Sequence, residues 1–119
     1  MAETHPIDGQ VVLQAGAFAS VPLQTLSELI GRVQRHIDEH HTAYERQFEC
    51  IESSTRHYYL TPPSHWEGVA EELGLTDREV DAVRRAHETQ FRRDGRRLER
   101  SEEFETALQI RSPVVVTPQ

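Results

Sequence analysis

Lysine, asparagine and any second cysteine are missing from this chain, and each absence narrows what the protein can be. Because Cys50 is the only cysteine, no disulfide can form within the chain, and a reducing cytoplasm is the expected compartment. No stretch approaches the roughly 18 consecutive apolar residues that a membrane-spanning helix needs, so we expect no membrane contact. The segment MAETHPIDG has neither a basic region nor an apolar core, so we expect no signal peptide.

The joint absence of lysine and asparagine also bears on the source of the protein. All 13 basic residues are arginine, against 20 acidic residues, and the net charge is −7. Codons for lysine and asparagine both begin with AA, so the loss of both residue types indicates a very GC-rich genome. Arginine without lysine, together with an excess of glutamate, also suits a salt-rich cytoplasm. We therefore predict a halophilic archaeon, with a high-GC actinobacterium as the alternative.

The pattern of apolar residues predicts a mainly α (α+β) fold, a helical bundle with a small sheet. We expect residues 1–119 to form a single domain with one modest core. The apolar run QVVLQA at 10–15 predicts an N-terminal strand, followed by a connector at 15–19. Residues 56–63 are expected to be extended because they end in two prolines. The β-branched tail at 112–119 predicts a C-terminal strand, and the two terminal strands are expected to form the sheet.

One long helix is expected over residues 21–53, with Ser20 as its cap and Pro22 in its first turn. Its apolar positions alternate in steps of three and four, which is the heptad seam of a coiled coil. His40 and Gln47 fill the two gaps in that seam. Such a narrow stripe needs a helical partner, either from later in the chain or from a second copy. The residues of this predicted interaction seam are Leu23, Leu26, Ile30, Val33, Ile37, Tyr44 and Ile51.

Residues 65–93 predict two helices joined by a turn, in the pattern of a helix-turn-helix. Gly74 can end the first helix in a left-handed conformation, and Thr76 with Glu79 forms a capping box that starts the second. The stretch resembles the helix-turn-helix of many bacterial and archaeal regulators, and death-domain-like bundles share the same pattern. The motif requires small or apolar residues at its inward positions. Those positions are Val69, Ala70, Leu73, Leu75, Val80 and Val83.

The segment 84–100 is basic on an otherwise acidic chain. It holds seven arginines against three acids, a net charge of +4, while the other 102 residues carry a net charge of −11. Asp94 and Gly95 are expected to break or kink its helix, before a last helix over 101–110. The arginines either meet nucleic-acid phosphates or pair with the acids of helix 21–53, and the sequence leaves both open. The candidate nucleic-acid contacts are Arg78, Arg85, Arg92, Arg93, Arg96 and Arg97.

Signs of catalytic or cofactor chemistry are few. His36 and His40 are one helical turn apart, a spacing that can chelate a divalent metal ion. Since no convincing third ligand accompanies them, we expect no metal site and interpret His40 as part of the seam. The chain has no Ser-His-Asp order, no phosphate-binding glycine loop and no paired-cysteine motif. We therefore expect no catalytic residues, no cofactor, no small-molecule substrate and no enzymatic activity.

Two consecutive stretches carry a family resemblance, HWEGVAEELGLTDREVDAVRR at 65–85 and AHETQFRRDGRRLERSEEFETALQIR at 86–111. Together they resemble a group of small uncharacterised haloarchaeal proteins. The resemblance covers most of the chain and agrees with the salt-adapted host that the composition indicates. It implies no activity, and no functional residue follows from it.

Two functions from different classes follow from these patterns. We predict a non-enzymatic protein-interaction or assembly module that forms a homodimer, or binds an unknown protein partner, through the long helix 21–53. The motivation is a seam that is too long for the remaining helices to cover. The alternative is a helix-turn-helix DNA-binding regulator that uses helix 76–93 and the arginine-rich segment 84–100. Binding to duplex DNA that weakens steeply with salt would distinguish the second function from the first.

Overall fold

Six helices and three strands make up most of residues 5–118, the part of the chain that the computed structural model describes. Helix predominates, which confirms the mainly α (α+β) class predicted from the sequence. Within residues 5–118, no helix combines the length and the hydropathy needed to cross a membrane. In chain order the elements are α1 (Gly9–Ala19), α2 (Leu23–Glu39), α3 (His41–Gln47), β1 (Glu49–Glu52), β2 (His57–Thr61), α4 (His65–Leu73), α5 (Asp77–Arg97), α6 (Ser101–Leu108) and β3 (Ser112–Val116).

The sheet is antiparallel, with strand order β1-β2-β3. Tyr59, on the central strand, lies opposite Cys50 of β1 and Val114 of β3. The valine-rich tail therefore pairs with the HYYL segment, whereas the sequence predicted a sheet formed by the two terminal strands. β3 is buried along its whole length, with α5 and α6 packed against it, whereas β1 is a largely exposed edge strand.

The predicted N-terminal strand is wrong, because residues 10–15 lie in helix α1 and not in the sheet. The buried residues of α1 recur at helical spacing and form one face, which packs against α5 and α2. Residues 15–19, expected to connect two elements, form the second half of the same helix. A short apolar run does not distinguish strand from helix by its spacing, so packing against α5 and α2 decides the outcome. The buried residues are Val11, Val12, Ala15 and Gly16.

The single helix expected over residues 21–53 is also wrong, since this stretch is divided into α2, α3 and strand β1. The first break is at His40, whose φ of −111° and ψ of 20° depart from helical values. The chain turns there, and α3 brings the ring of Tyr44 to within 5.5 Å of the ring of Tyr59 in the sheet. Residues 49–52 pair with β2, a non-local interaction that heptad spacing does not contain.

Helix α5 is the centre of the fold and packs against α1, α2, α4, α6 and β3. It continues through Asp94 and Gly95 to Arg97, so the break expected at this pair is wrong. Gly95 lies against the side chain of Phe104, and a Cβ atom on Gly95 would be 2.9 Å from that ring. The absence of a side chain lets α6 approach, and Phe104 stacks on Phe91 with ring centroids 4.3 Å apart.

Gly95→Ala is expected to destabilise the protein by about 1–3 kcal/mol, because the new methyl group overlaps Phe104. This loss opposes the gain of about 1 kcal/mol that alanine brings to a helix interior. Gly68→Ala is the matched control, since Gly68 lies in α4 and a Cβ atom there meets nothing within 4 Å. In urea denaturation, Gly68→Ala should raise the midpoint and Gly95→Ala should lower it. Equal shifts in the two variants would contradict the tight contact.

A buried polar network joins the N-terminal segment, the β1–β2 hairpin and α5. Asp94 is fully buried and accepts hydrogen bonds from the Tyr58 hydroxyl at 2.5 Å, from Gln90 at 3.0 Å and from Arg56 at 3.2 Å. Arg56 also reaches Asp8, with 2.6 Å between Nη2 and Oδ1. Because Asp8, Arg56 and Asp94 are far apart in sequence, this network fixes how the three segments pack together.

Candidate functional site

The predicted interaction seam lies mainly in the core of the monomer. Leu23, at the start of α2, is half exposed, and Ile51 is partly buried in β1. The other five residues are buried by parts of the same chain, so they cannot meet a second copy unless the core opens. The seam is therefore the wrong surface for self-association, although self-association itself stays a prediction. The five buried residues are Leu26, Ile30, Val33, Ile37 and Tyr44.

Four of the six arginines predicted as candidate nucleic-acid contacts form ion pairs with nearby acids. Their partners lie on α5, on α6 or in the N-terminal segment, and none belongs to residues 21–53 within the described part of the chain. The hypothesis that the basic segment pairs with the acids of that stretch is therefore wrong. The four pairs are Arg85–Asp81 (2.7 Å), Arg92–Glu105 (2.8 Å), Arg93–Asp8 (3.8 Å) and Arg97–Asp94 (2.7 Å).

Arg78 and Arg96 are the two candidates that form no ion pair among residues 5–118, and both are exposed on α5. Within the basic segment 84–100, most of the arginines other than Arg96 are neutralised by acids close to them. This neutralisation weakens the attraction of the segment for phosphates, because that attraction depends on cations that can replace bound counterions. DNA binding stays a prediction, and Arg78 and Arg96 are the arginines on which it depends most.

The hairpin of α4 and α5 has the local geometry that the sequence predicts. Gly74 adopts a left-handed conformation with φ of 69°, and the capping box between Thr76 and Glu79 has both of its hydrogen bonds. At the start of α5, Asp77 and Arg78 are both exposed, so the face that would meet DNA carries charges of both signs. Backbone geometry of this kind is shared by hairpins that bind DNA and hairpins that only pack, so it does not separate the two.

The outer face of α1 is uncharged and partly apolar. The helix, GQVVLQAGAFA, has no charged residue, although 28% of the whole chain is charged. Phe18 has 72% of its surface exposed and Leu13 has 56%. An exposed phenylalanine and an exposed leucine on a helix face without charge are typical of a surface that meets a partner. We define the outer face of α1 by its exposed residues Gln10, Leu13, Gln14, Ala17 and Phe18.

Charged side chains of α5 border the outer face of α1. The guanidinium of Arg85 lies 4.3 Å from the centre of the Phe18 ring, which is a cation–π contact. Beside this contact is a pocket of about 190 Å³, lined in part by Arg92 and Glu88. The outer face therefore has an uncharged centre and a rim with charges of both signs. Protein interfaces commonly have this arrangement, since charged residues are depleted at their centre.

The sequence interpretation missed Phe18, because it assigned residues 15–19 to a connector. The signal that could have found it is the absence of charge over residues 9–19, which is unusual in a chain this rich in charged residues. Arg85 and Arg92 were identified, but as contacts to nucleic acid and not as the rim of an uncharged face. Because Arg85 and Arg92 lie beside Phe18 and Glu88, we now interpret them as the rim of the outer face of α1.

The described residues define a mainly α protein of the α+β class, with a central helix, a three-stranded sheet and an uncharged surface helix. The chain belongs to the family described as Domain of unknown function (DUF8048), whose model matches residues 5–118. No curated protein and no solved structure matches the chain. The predicted resemblance to an uncharacterised family is thereby confirmed, whereas the haloarchaeal source stays a prediction.

Proposed function

We propose that this protein is a non-enzymatic interaction module that forms a homodimer through the outer face of α1. The observation that carries the proposal is Phe18, which is 72% exposed on a helix without charge. Removing a phenylalanine or leucine side chain from water contributes about 1.5–3 kcal/mol to the free energy of association when the burial is complete. The proposal keeps the self-association expected from the sequence and moves it from the buried seam to an accessible surface.

A second copy of the chain is the partner that best fits the charges. Because the net charge is −7, two copies repel each other over most of their surface. The outer face of α1 is a place where they can meet without that repulsion. Around it, Arg85 and Arg92 lie near Glu88. A two-fold arrangement can therefore add contacts of opposite charge across the rim, beside the ion pairs that each copy already forms.

Phe18→Glu is expected to raise the dissociation constant of the dimer by at least about 30-fold, because it removes a central aromatic contact and places two carboxylates in the interface. Ile110→Glu is the matched control, since Ile110 is 64% exposed and lies just after α6, outside the proposed interface. Molar mass by light scattering should be measured over a concentration series for the wild type and both variants. Circular dichroism should show that all three are folded.

The possible results of these measurements lead to different conclusions. Dissociation in Phe18→Glu alone supports the proposal, whereas a wild type that stays monomeric at high concentration contradicts it. Equal dissociation in both variants would place the interface elsewhere. A monomeric wild type whose binding to duplex DNA weakens steeply with salt, and is reduced by Arg78→Ala and Arg96→Ala, would favour the DNA-binding alternative instead.

A further inference from the structure

His36, His40 and Glu72 are brought together where the last turn of α2 meets α4. The Nε2 atom of His36 is 2.9 Å from a carboxylate oxygen of Glu72. One ligand atom from each of the three side chains lies within 4.8 Å of the others. The expectation of no metal site depended on the lack of a third ligand beside the two histidines. Glu72, which is 32 positions after His40 in the sequence, is a possible third ligand in the structure.

We propose that His36, His40 and Glu72 form a binding site for a divalent transition metal ion of the zinc class. Two imidazoles and one carboxylate are a ligand set that zinc accepts, with a fourth position open to water. Zinc bonds of about 2.0–2.2 Å in a tetrahedral arrangement put neighbouring ligand atoms roughly 3.4 Å apart. His40 and Glu72 are exposed and can change rotamer. The three side chains can therefore close around an ion without a change in the backbone.

The ring of His40 is already oriented for coordination. Its Nδ1 atom lies 2.8 Å from the backbone carbonyl oxygen of His36, so an Nδ1–H donates to that carbonyl and leaves Nε2 with a free lone pair. Histidines that ligate metals nearly always donate their other ring N–H in this way. The two rings lie side by side, with centroids 4.4 Å apart. Both are at the C-terminal end of α2, where the helix dipole also favours a cation.

The two helices that supply the ligands are held in place independently of any metal. Arg32, one turn before His36 on α2, donates a hydrogen bond from Nη2 to the backbone oxygen of Leu73 at 2.9 Å. Leu73 follows Glu72 directly, so this bond links the two helices beside the site. The His36 side chain is 12% exposed and is restricted by its surroundings. His36 is therefore held in position before an ion binds, whereas His40 and Glu72 adjust to the ion.

A second group of side chains that can ligate a metal ion provides an internal comparison. Cys50, Glu52 and His57 are close together on the β1–β2 hairpin, beside a pocket of about 340 Å³ that is also lined by His41 and Glu45. This group would bind through a thiolate, whereas the proposed site has only nitrogen and oxygen ligands. The two sites can therefore be distinguished by spectroscopy, because a thiolate bound to cobalt gives a charge-transfer band and imidazole and carboxylate do not.

The test is a titration of the metal-free full chain with Co²⁺, followed by absorption, and with Zn²⁺, followed by calorimetry. His40→Ala and Glu72→Gln alter exposed side chains, so both variants should fold, and each should weaken binding by at least about tenfold. Glu71→Gln, one position from the ligand, and Cys50→Ser are the matched controls and should bind as the wild type does. Zn²⁺ should also raise the melting temperature of the wild type and not that of His40→Ala. The reason is that an ion that binds the folded state and not the unfolded state stabilises the folded state.

Other outcomes would overturn the proposal. If the wild type binds neither ion, or if His40→Ala and Glu72→Gln bind as tightly as the wild type, the three side chains are not a metal site. A thiolate-to-cobalt band that disappears in Cys50→Ser would assign the ion to the hairpin group instead. The proposal is independent of self-association, since Phe18→Glu leaves all three ligands in place.

Discussion

Asp94→Ala is expected to lower the free energy of unfolding by about 3–5 kcal/mol, a larger loss than we expect from Gly95→Ala or from a surface substitution. The carboxylate is fully buried and accepts hydrogen bonds from the hydroxyl of Tyr58 and from Arg56. Removing it leaves the mostly buried guanidinium of Arg56 with less neutralising charge, and leaves the Tyr58 hydroxyl without its acceptor. Burial and the Asp94 carboxylate both raise the pKa of Tyr58, so this hydroxyl stays protonated and remains a donor.

Urea denaturation at constant salt is the measurement for Asp94→Ala. Asp77→Ala is the matched control, because Asp77 is exposed in the first turn of the same helix. Losing its interaction with the helix dipole should remove less than about 1 kcal/mol. Tyr58→Phe removes only the hydroxyl that donates to Asp94, so its loss in free energy of unfolding should be intermediate, at about 1–3 kcal/mol. A loss at Asp94 no larger than the loss at Asp77 would show that the buried network does not stabilise the fold.

Acidification from about pH 6.5 is expected to destabilise the protein before its carboxylates titrate. Burial, together with the charges of His5 and His65, lowers the pKa of His87 to about 3. Burial, with the charge of His36, lowers the pKa of His65 to about 4, against the opposing effect of Glu72. The unfolded chain therefore binds protons that the folded chain does not. The free energy of unfolding should fall by about 1.4 kcal/mol per pH unit from His87 alone, with His65 adding to the slope.

His87→Gln tests the origin of this slope. The Nδ1 atom of His87 accepts a hydrogen bond from the backbone N–H of Val115 at 2.9 Å, and the glutamine oxygen can accept in its place. Between about pH 6.5 and pH 4.5, the free energy of unfolding of the variant should change with pH by about 1.4 kcal/mol per pH unit less than that of the wild type. Gln109→Ala, which changes an exposed side chain that does not titrate, should leave the slope unchanged. An unchanged slope in His87→Gln would mean that this ring is not held neutral in the folded state.

The carboxylates act in a different pH window, which separates them from the histidines. Burial alone would raise the pKa of Asp8, but the hydrogen bond from Gln90 and the charges of Arg56 and Arg93 lower it overall. A carboxyl group with a lowered pKa contributes stability that is lost only as the pH falls below about 4, its value in the unfolded chain. The slope between about pH 6.5 and pH 4.5 therefore reports the buried imidazoles.

Sequence reasoning succeeded where the chemistry is local. The end of α4 at Gly74 and the start of α5 at Thr76 depend on a left-handed glycine and a capping box, and both signals lie within a few residues. It failed where contacts between residues that are far apart in the sequence determine the structure. Asp94 and Gly95 have the composition of a turn, yet Arg56 and Tyr58 bind the aspartate and α6 packs on the glycine, so the helix continues.

The same distinction explains what was missed at the candidate sites. Heptad spacing continued by chance through Tyr44 to Ile51, although Ile51 belongs to a strand that pairs with β2. Phe18 and Arg85 are 67 positions apart in the sequence, so their contact cannot be found from spacing. Glu72 likewise reaches His36 only because α4 packs beside α2. Residues of this kind are assembled by the tertiary structure, and a single sequence contains no periodic signal for them.

The most direct test of the proposed homodimer is a distance measurement between two copies of α1. A spin label attached to Ala17→Cys in a Cys50→Ser background lies at the centre of the outer face, because Ala17 is exposed between Leu13 and Phe18. The account predicts a strong electron–electron dipolar interaction between labels on different chains, since the axes of packed helices lie about 8–10 Å apart. A label on Ala43→Cys, exposed on α3, should show a much weaker one. No interaction at position 17, at a concentration where light scattering shows a dimer, would contradict the proposed interface.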